Sequence, residues 1–362
     1  MSPDRRAERQ AALRSLLEHE GLDTLLVQHL PNIRYLTGFS GSAALLLMRP
    51  GGSILISDFR YNVQAMQEVG NSARVEIDQV NVWDRLKRSL ADAPPAVLAF
   101  EAHVTTVRDM ERLAATTTAR LEPVTDLIER LRVSKSPEEV EAIRRAAVLA
   151  QDALAETVPE IRVGETEFAI GARLESALRR RGSEWHPFPT IVASGPRSAL
   201  PHARTSARTV GKGEWLLLDF GAQVDGYCAD LTRTFIVGQA PDERQRTVYE
   251  VVRIAQGRAL TNIHAGQTGR EADALARDII SARGFGDSFG HSLGHGLGLE
   301  VHEGPRLSPT AEVILQAGAV VTIEPGIYLP GWGGVRLEDD IHLGADGPVC
   351  LSDNRTELVQ LG

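Results

Sequence analysis

The chain is poor in sulfur, in aromatic rings, in positive charge and in long apolar runs. Its two cysteines, Cys228 and Cys350, are too few in 362 residues for a disulfide framework or a thiolate zinc site, which fits a reducing compartment and leaves sulfur without an expected chemical role. A net charge of -9 argues against a nucleic-acid partner or an anionic membrane surface. The one basic cluster, Arg179-Arg180-Arg181 before Gly182, reads as the solvated last turn of a helix, where cations suit the dipole. No window approaches the roughly 18 apolar residues of a membrane span. The first twenty residues carry charge throughout, without a signal-peptide core. The expectation is a cytoplasmic protein with no membrane contact. Against these lacks stands an apolar content of 43%, ample for a core in one large domain or two.

Residues 5 to 20 read as an amphipathic helix, and Thr24-Leu25-Leu26-Val27 as a short strand. Ala43 to Leu47 and Ser53 to Ile56 suggest two more strands, with Pro50-Gly51-Gly52 as the turn between them. Helix and strand thus alternate through the first third. Near Leu131 to Lys135 the apolar content falls, and Ser136-Pro137-Glu138-Glu139 supplies a helix start: serine as N-cap, proline at the first position and glutamate at the third. The domain boundary is placed there, giving residues 1–130 and 131–362. A helix through Leu154 and another after Glu165 follow. Beyond Gly182, glycine, proline and β-branched residues dominate, with helical patterns only near 243–261 and 270–283. The fold class expected is α/β (α+β), with a small first domain and a second built as a sheet carrying helices.

Within Trp215 to Gly221 an apolar strand carries one acid, Asp219; Asp225-Gly226 is a hairpin turn signal, and the return strand Tyr227 to Val237 carries Asp230. A hairpin brings the two acids close together across adjacent strands. The pattern recurs: Val320 to Glu324 ends in an acid, Pro330 to Gly334 is a turn region, and Val335 to Glu338 returns with another. Two pairs of like charges in apolar strands repel and lose hydration unless something cationic neutralises them. Four carboxylates and an imidazole suit a pair of hard or borderline divalent cations such as Mn²⁺, Co²⁺ or Zn²⁺. The imidazole is sought in SFGHSLGHGLGLEVHEGPR, residues 288–306. His291 and His295 are four apart, but Gly290, Gly294, Gly296 and Gly298 disfavour a helix and point to an extended, close-packed strand.

The segments Gly294-His295-Gly296-Leu297-Gly298-Leu299-Glu300-Val301-His302-Glu303, Thr322-Ile323-Glu324-Pro325-Gly326-Ile327-Tyr328 and Val335-Arg336-Leu337-Glu338-Asp339-Asp340 resemble the metallopeptidases of the pita-bread fold, above all Xaa-Pro dipeptidase (prolidase) and Xaa-Pro aminopeptidase (aminopeptidase P). Leu30 to Gly41 resembles their creatinase-type N-terminal domain. The resemblance implies a creatinase-like domain followed by a pita-bread catalytic domain. It further implies two divalent metal ions per subunit, with Mn²⁺ first and Co²⁺ or Zn²⁺ as alternatives. Asp219 is then a ligand of one ion, His295 and Glu324 of the other, and Asp230 and Glu338 bridge them. A hydroxide between the metals attacks the scissile carbonyl, with Glu324 as its proton shuttle. His202 and His302 match the histidines that contact the scissile amide and the oxyanion, and His291 matches a third on the proline side. Arg336 is expected to pair with a ligand carboxylate. Arg306 matches an arginine that in prolidases holds the dipeptide's C-terminal carboxylate. Tyr328 is a further candidate substrate contact, with a packed strand tyrosine as the alternative.

Gly290-His291-Ser292-Leu293-Gly294 also spells the G-x-S-x-G of a serine hydrolase. That elbow needs a strand before Ser292 and a helix after it, and a loop precedes it while glycines follow. The glycine run lacks the spacing of a dinucleotide loop. A binding protein that keeps the fold without activity is a further alternative, opposed by the presence of all five ligand positions. The activity implied is hydrolysis of the Xaa-Pro bond in short proline-containing peptides, first as a dipeptidase, with an aminopeptidase acting on tripeptides and longer as the alternative. A homodimer is expected.

Overall fold

A computed structural model describes residues 3–352 and 356–362, which divide into two units, residues 1–132 and 133–362. No helix among the described residues is long and apolar enough to cross a membrane.

The first unit contains α1 (Pro3–His19), β1 (Leu25–Val27), α2 (Leu30–Thr37), β2 (Ala44–Arg49), β3 (Gly52–Asp58), α3 (Asn62–Val69), β4 (Arg74–Asp78), α4 (Val82–Asp92), β5 (Val97–Glu101), α5 (Val107–Thr116), β6 (Arg120–Val124) and α6 (Leu127–Val133). Its six strands lie in the order β4-β3-β2-β1-β5-β6, with β2 antiparallel to both neighbours and the other pairs parallel. The expected hairpin of β2 and β3 forms around Pro50 and Gly51. α1 buries Arg9, Gln10, Leu13 and Leu17 along one stripe. Its two polar members donate to carbonyls: Arg9 Nη1 to Tyr35 O and Gln10 Nε2 to Leu36 O.

The second unit opens with α7 (Pro137–Thr157), which starts with a reciprocal cap: Glu139 N donates to Ser136 Oγ and Ser136 N to a Glu139 carboxylate oxygen. There follow α8 (Glu167–Arg180), β7 (Ile191–Ser194), β8 (Trp215–Val224), β9 (Tyr227–Val237), α9 (Glu243–Asn262), α10 (Gly269–Ala282), β10 (Gly294–Gly296), β11 (Glu303–Leu307), β12 (Val320–Ile323), β13 (Gly326–Leu329), β14 (Gly333–Arg336), β15 (Asp339–Gly344), β16 (Gly347–Cys350) and β17 (Gln360–Leu361). Among the described residues three sheets form, ordered β17-β9-β8-β7, β11-β10-β12-β15-β16 and β13-β14. Two cores flank them. Leu216, Leu218 and Phe220 of β8 pack with Ala146 and Ala150 of α7 and Ile170 and Leu174 of α8. Val321, Ile323 and Ile341 pack instead with Val248 and Val252 of α9 and Ala276 and Ile280 of α10. Alternation along a strand sends the intervening residues the other way. Asp219, Asp230 and Thr232 therefore share the face turned from α7 and α8.

The second pair of acids departs from the single hairpin expected. β12 pairs with β15 and β13 with β14, so the ladder breaks between the two pairs. Ile323 faces Asp339 and Gly326 faces Arg336, so the register runs unshifted through the break and sets Glu324 against Glu338. Each acid's backbone instead joins another strand: Glu324 N donates to Leu293 O, 2.8 Å, and Glu338 N to Thr232 O, 3.1 Å.

Candidate metal centre

Asp219 and Asp230 sit diagonally on the β8–β9 hairpin, since Asp219 faces Thr232 and Gly221 faces Asp230. The position between them must be glycine, because a Cβ on Gly221 would overlap the Ala229 carbonyl. His295 arrives on β10, the extended strand expected of the glycine-rich segment. Gly294 and Gly296 let that strand lie flush between its neighbours: a Cβ on either would strike the carbonyl oxygen of Thr322 or Gly304. His295 Nε2 lies 3.4 Å from Glu324 Oε1 and 3.8 Å from Asp230 Oδ2, and Asp230, His295 and Glu338 offer donor atoms within 4.8 Å of one another.

Electrostatics turns this cluster into a test of fit. Burial, then Glu338 and Asp219, pushes the Asp230 carboxyl well above its ordinary range, and burial with Glu324 and Asp219 does the same to Glu338. Burial raises Asp219 despite its Arg336 partner and lifts Glu324 to about 8. Burial followed by the neighbouring His302 lowers His295 to about 4, so its imidazole is neutral, the form that binds a metal. Asp219 Oδ1 and Asp230 Oδ1 are buried and accept no hydrogen bond from the described residues. Acids that resist ionising together, two orphaned carboxylate oxygens and a neutral imidazole make a donor set that fits divalent metal.

Around it lies a cavity of about 1030 Å³ lined by all five of these residues and by His202, His291, His302, Arg306 and Arg336. The His302 ring stands 4.3 Å from that of His295, and Arg306 is directly opposite His295 in the β10–β11 register. Phe188, Pro189 and Ile191 supply an apolar wall that the sequence reading did not single out. Tyr328 does not line this cavity. Its hydroxyl sits behind it, 2.8 Å from His291 Nε2 and 2.8 Å from Arg336 Nη1, which makes it a bridge between two wall residues. Arg336 is buried, donates to Asp219 Oδ2, and donates through Nε to Thr232 Oγ1 at 3.1 Å.

Several supporting groups escaped the sequence reading. Thr232 Oγ1 donates to Glu338 Oε2 at 2.5 Å and Thr322 Oγ1 to Glu324 Oε1 at 3.2 Å. Each threonine lies two residues from an acid on its own segment, so strand alternation was the available signal. Asp273 and Arg277 of α10 had no such signal. Arg277 donates to the carbonyls of Phe289 and His291, while Asp273 accepts from Leu293 N, together holding the irregular segment that carries His291. Ser292 lies in that segment with β10, not a helix, after it. Lys135 and Glu303 form a buried pair at 2.6 Å beside His302.

The family model for metallopeptidase family M24 matches residues 141–345, and that for the creatinase/prolidase N-terminal domain matches residues 9–134. The chain is 33% identical to the Xaa-Pro dipeptidase of Pyrococcus horikoshii over 95% of its own length and 96% of that protein's. Its fold is similar to the solved structure of an Xaa-Pro dipeptidase from Bacillus anthracis, with a TM-score of 0.95, 37% identity and coverage of 98% and 100% of the two chains. It is likewise similar to that of an X-Pro aminopeptidase from Thermotoga maritima, with a TM-score of 0.90, 37% identity and coverage of 97% and 99%. With both units matched and buried carboxylates gathered around a neutral imidazole at the site, the chain belongs to metallopeptidase family M24.

Proposed function

We propose that the protein hydrolyses the Xaa-Pro bond of short peptides, with dipeptides as its first substrate class. The observation that carries the reading is the meeting of Asp219, Asp230, His295, Glu324 and Glu338 on a cavity also lined by His202, His291 and His302 and by the exposed arginines Arg204 and Arg306. These five residues would hold two divalent cations, Mn²⁺ first and Co²⁺ or Zn²⁺ as alternatives. When bound, such cations supply Lewis acidity: they lower the pKa of water and stabilise negative charge on a carbonyl oxygen. Glu324 is the group that accepts the proton of the attacking water at its carboxylate and returns it to the leaving nitrogen. Thr322 steadies that carboxylate through its hydroxyl. His202 and His302 meet the scissile amide and its developing oxyanion. His291, its ring held by Tyr328, faces the proline. The Phe188 and Ile191 wall suits an apolar pyrrolidine ring.

Arg306 favours the dipeptide, since it projects beside His295 where the free carboxylate of a two-residue substrate would end. A second reading, an aminopeptidase acting on tripeptides and longer, draws on the equal identity to the X-Pro aminopeptidase from Thermotoga maritima. Turnover of Ala-Pro and Ala-Pro-Ala, measured side by side in chelator and after Mn²⁺, Co²⁺ or Zn²⁺ is restored, separates the two. Metal-dependent cleavage confined to Ala-Pro supports the dipeptidase. Preference for the tripeptide makes the enzyme an aminopeptidase, and no cleavage of either with any metal refutes proline specificity.

A further inference from the structure

A second group of metal-ligating side chains lies wholly within the first unit. Three parallel neighbours in its sheet, β1, β5 and β6, each deliver one donor just beyond their carboxyl ends. His29 is two residues past Val27, His103 two past Glu101, and Glu129 stands in the first turn of α6, five past Val124. The crevice outside the carboxyl ends of parallel strands is where open α/β sheets bind ligands.

The donor atoms converge on one point. His103 Nε2 lies 3.1 Å and His29 Nδ1 3.7 Å from Glu129 Oε1, and one donor atom from each of the three residues lies within 4.8 Å of the others. Zinc bonds of about 2.05 Å at tetrahedral angles put donors about 3.3 Å apart, between those two distances. The imidazoles stand at 86° to each other with centroids 5.5 Å apart, so the rings meet edge to face and do not stack.

The donors are also held from behind. Asn32 Nδ2 donates to Glu129 Oε1 and to Glu101 Oε1, both at 2.6 Å, and Arg132 Nη1 fixes Asn32 by donating to its Oδ1 at 2.8 Å. Glu101 Oε2 accepts from the backbone of Gln28 and His29, which sets the loop that presents His29. Outer partners of this kind orient ligands and raise affinity. The side chains of His29, His103 and Glu129 remain 18%, 31% and 21% exposed, which leaves an entry path and room for a water as fourth ligand.

We propose that His29, His103 and Glu129 form a divalent-cation site, suited to Zn²⁺, at the carboxyl edge of the first unit's sheet. Two imidazoles and one carboxylate are a recurrent zinc donor set, and the ion ties together the loops after three strands. The site is separate from the Asp219 to Glu338 centre and does not depend on the peptidase reading.

The test compares the full-length protein with a His29→Ala/His103→Ala double variant, both stripped by chelator, equilibrated with micromolar Zn²⁺ and desalted for metal analysis. The wild type retains about one zinc more per chain than the double variant. Equal zinc contents overturn the site. Because the double variant could misfold, His103→Cys supplies an independent arm: loaded with Co²⁺, it acquires a thiolate-to-cobalt charge-transfer band absent from the wild type. A His103→Cys protein that takes up Co²⁺ without that band also refutes the proposal.

Discussion

Stripped by chelator of any cation at the Asp219 to Glu338 centre, the protein should have a stability that falls as pH rises above neutrality, against the usual behaviour of carboxylates. The sign follows from linkage. An acid whose folded pKa is raised keeps its proton in the folded state while the unfolded chain has lost it, so its stabilisation is present at low pH and disappears as pH climbs through the folded value. Glu324, lifted from 4.5 to about 8, gives that window its upper end. Below about pH 6.5 the effect is masked, because His291 and His295, both lowered to about 4, contribute in the opposite sense there. Between about pH 6.5 and 8 the acids act alone, and Glu324 by itself costs roughly 2 kcal/mol over that interval. For a unit of this size, a loss of 2 kcal/mol is a fall in Tm of roughly 5 °C. Asp230 and Glu338 deepen the fall, though not additively, since close carboxyls titrate together. Scanning calorimetry of chelator-treated protein at several pH values in the interval, repeated with Mn²⁺, measures it. Mn²⁺ should stabilise more at the higher pH, because it binds the ionised carboxylates. A chelated protein whose Tm is flat or rising across the interval, with a metal effect independent of pH, would refute the account of these acids as a cation site.

Glu324→Gln should abolish Ala-Pro turnover, by at least about a hundredfold, with near-UV dichroism unchanged, because the amide keeps the volume and loses the proton acceptor. Lys135→Met should lower the urea unfolding free energy by about 2 kcal/mol, since it removes a charge-assisted hydrogen bond at 2.6 Å between side chains only 1% and 6% exposed. A loss under about 0.5 kcal/mol would mean that the Lys135 contact contributes no more than a surface ion pair. Gly294→Ala should cost both soluble yield and Mn²⁺ uptake measured by metal analysis, because its Cβ has nowhere to go but into the Thr322 carbonyl.

The parts of the fold that could be read from the sequence are those whose determinants are local. The β8–β9 hairpin follows from Asp225-Gly226 between alternating strands, with Asp225 at a positive φ of 52° and Gly226 at 82°. The start of α7 follows from Ser136-Pro137 and Glu139. The second acid pair misled because its symmetry about the Pro330 to Gly334 turn is real, while the break in its ladder is imposed from outside, by Leu293 O and Thr232 O drawing away the backbones of Glu324 and Glu338. No periodicity within 320–338 records those partners. The same limit hides His29, His103 and Glu129, which have no spacing motif in common. Their meeting depends on β5 inserting next to β1 and β6 next to β5, an order fixed by packing the whole sheet. Tyr328 shows the limit at one residue: alternation can place it on a strand face, but only the meeting of His291 and Arg336 at the cavity wall gives its hydroxyl its two partners. Side chains set by pairing within a hairpin are therefore legible, and those set by which sheet lies opposite are not.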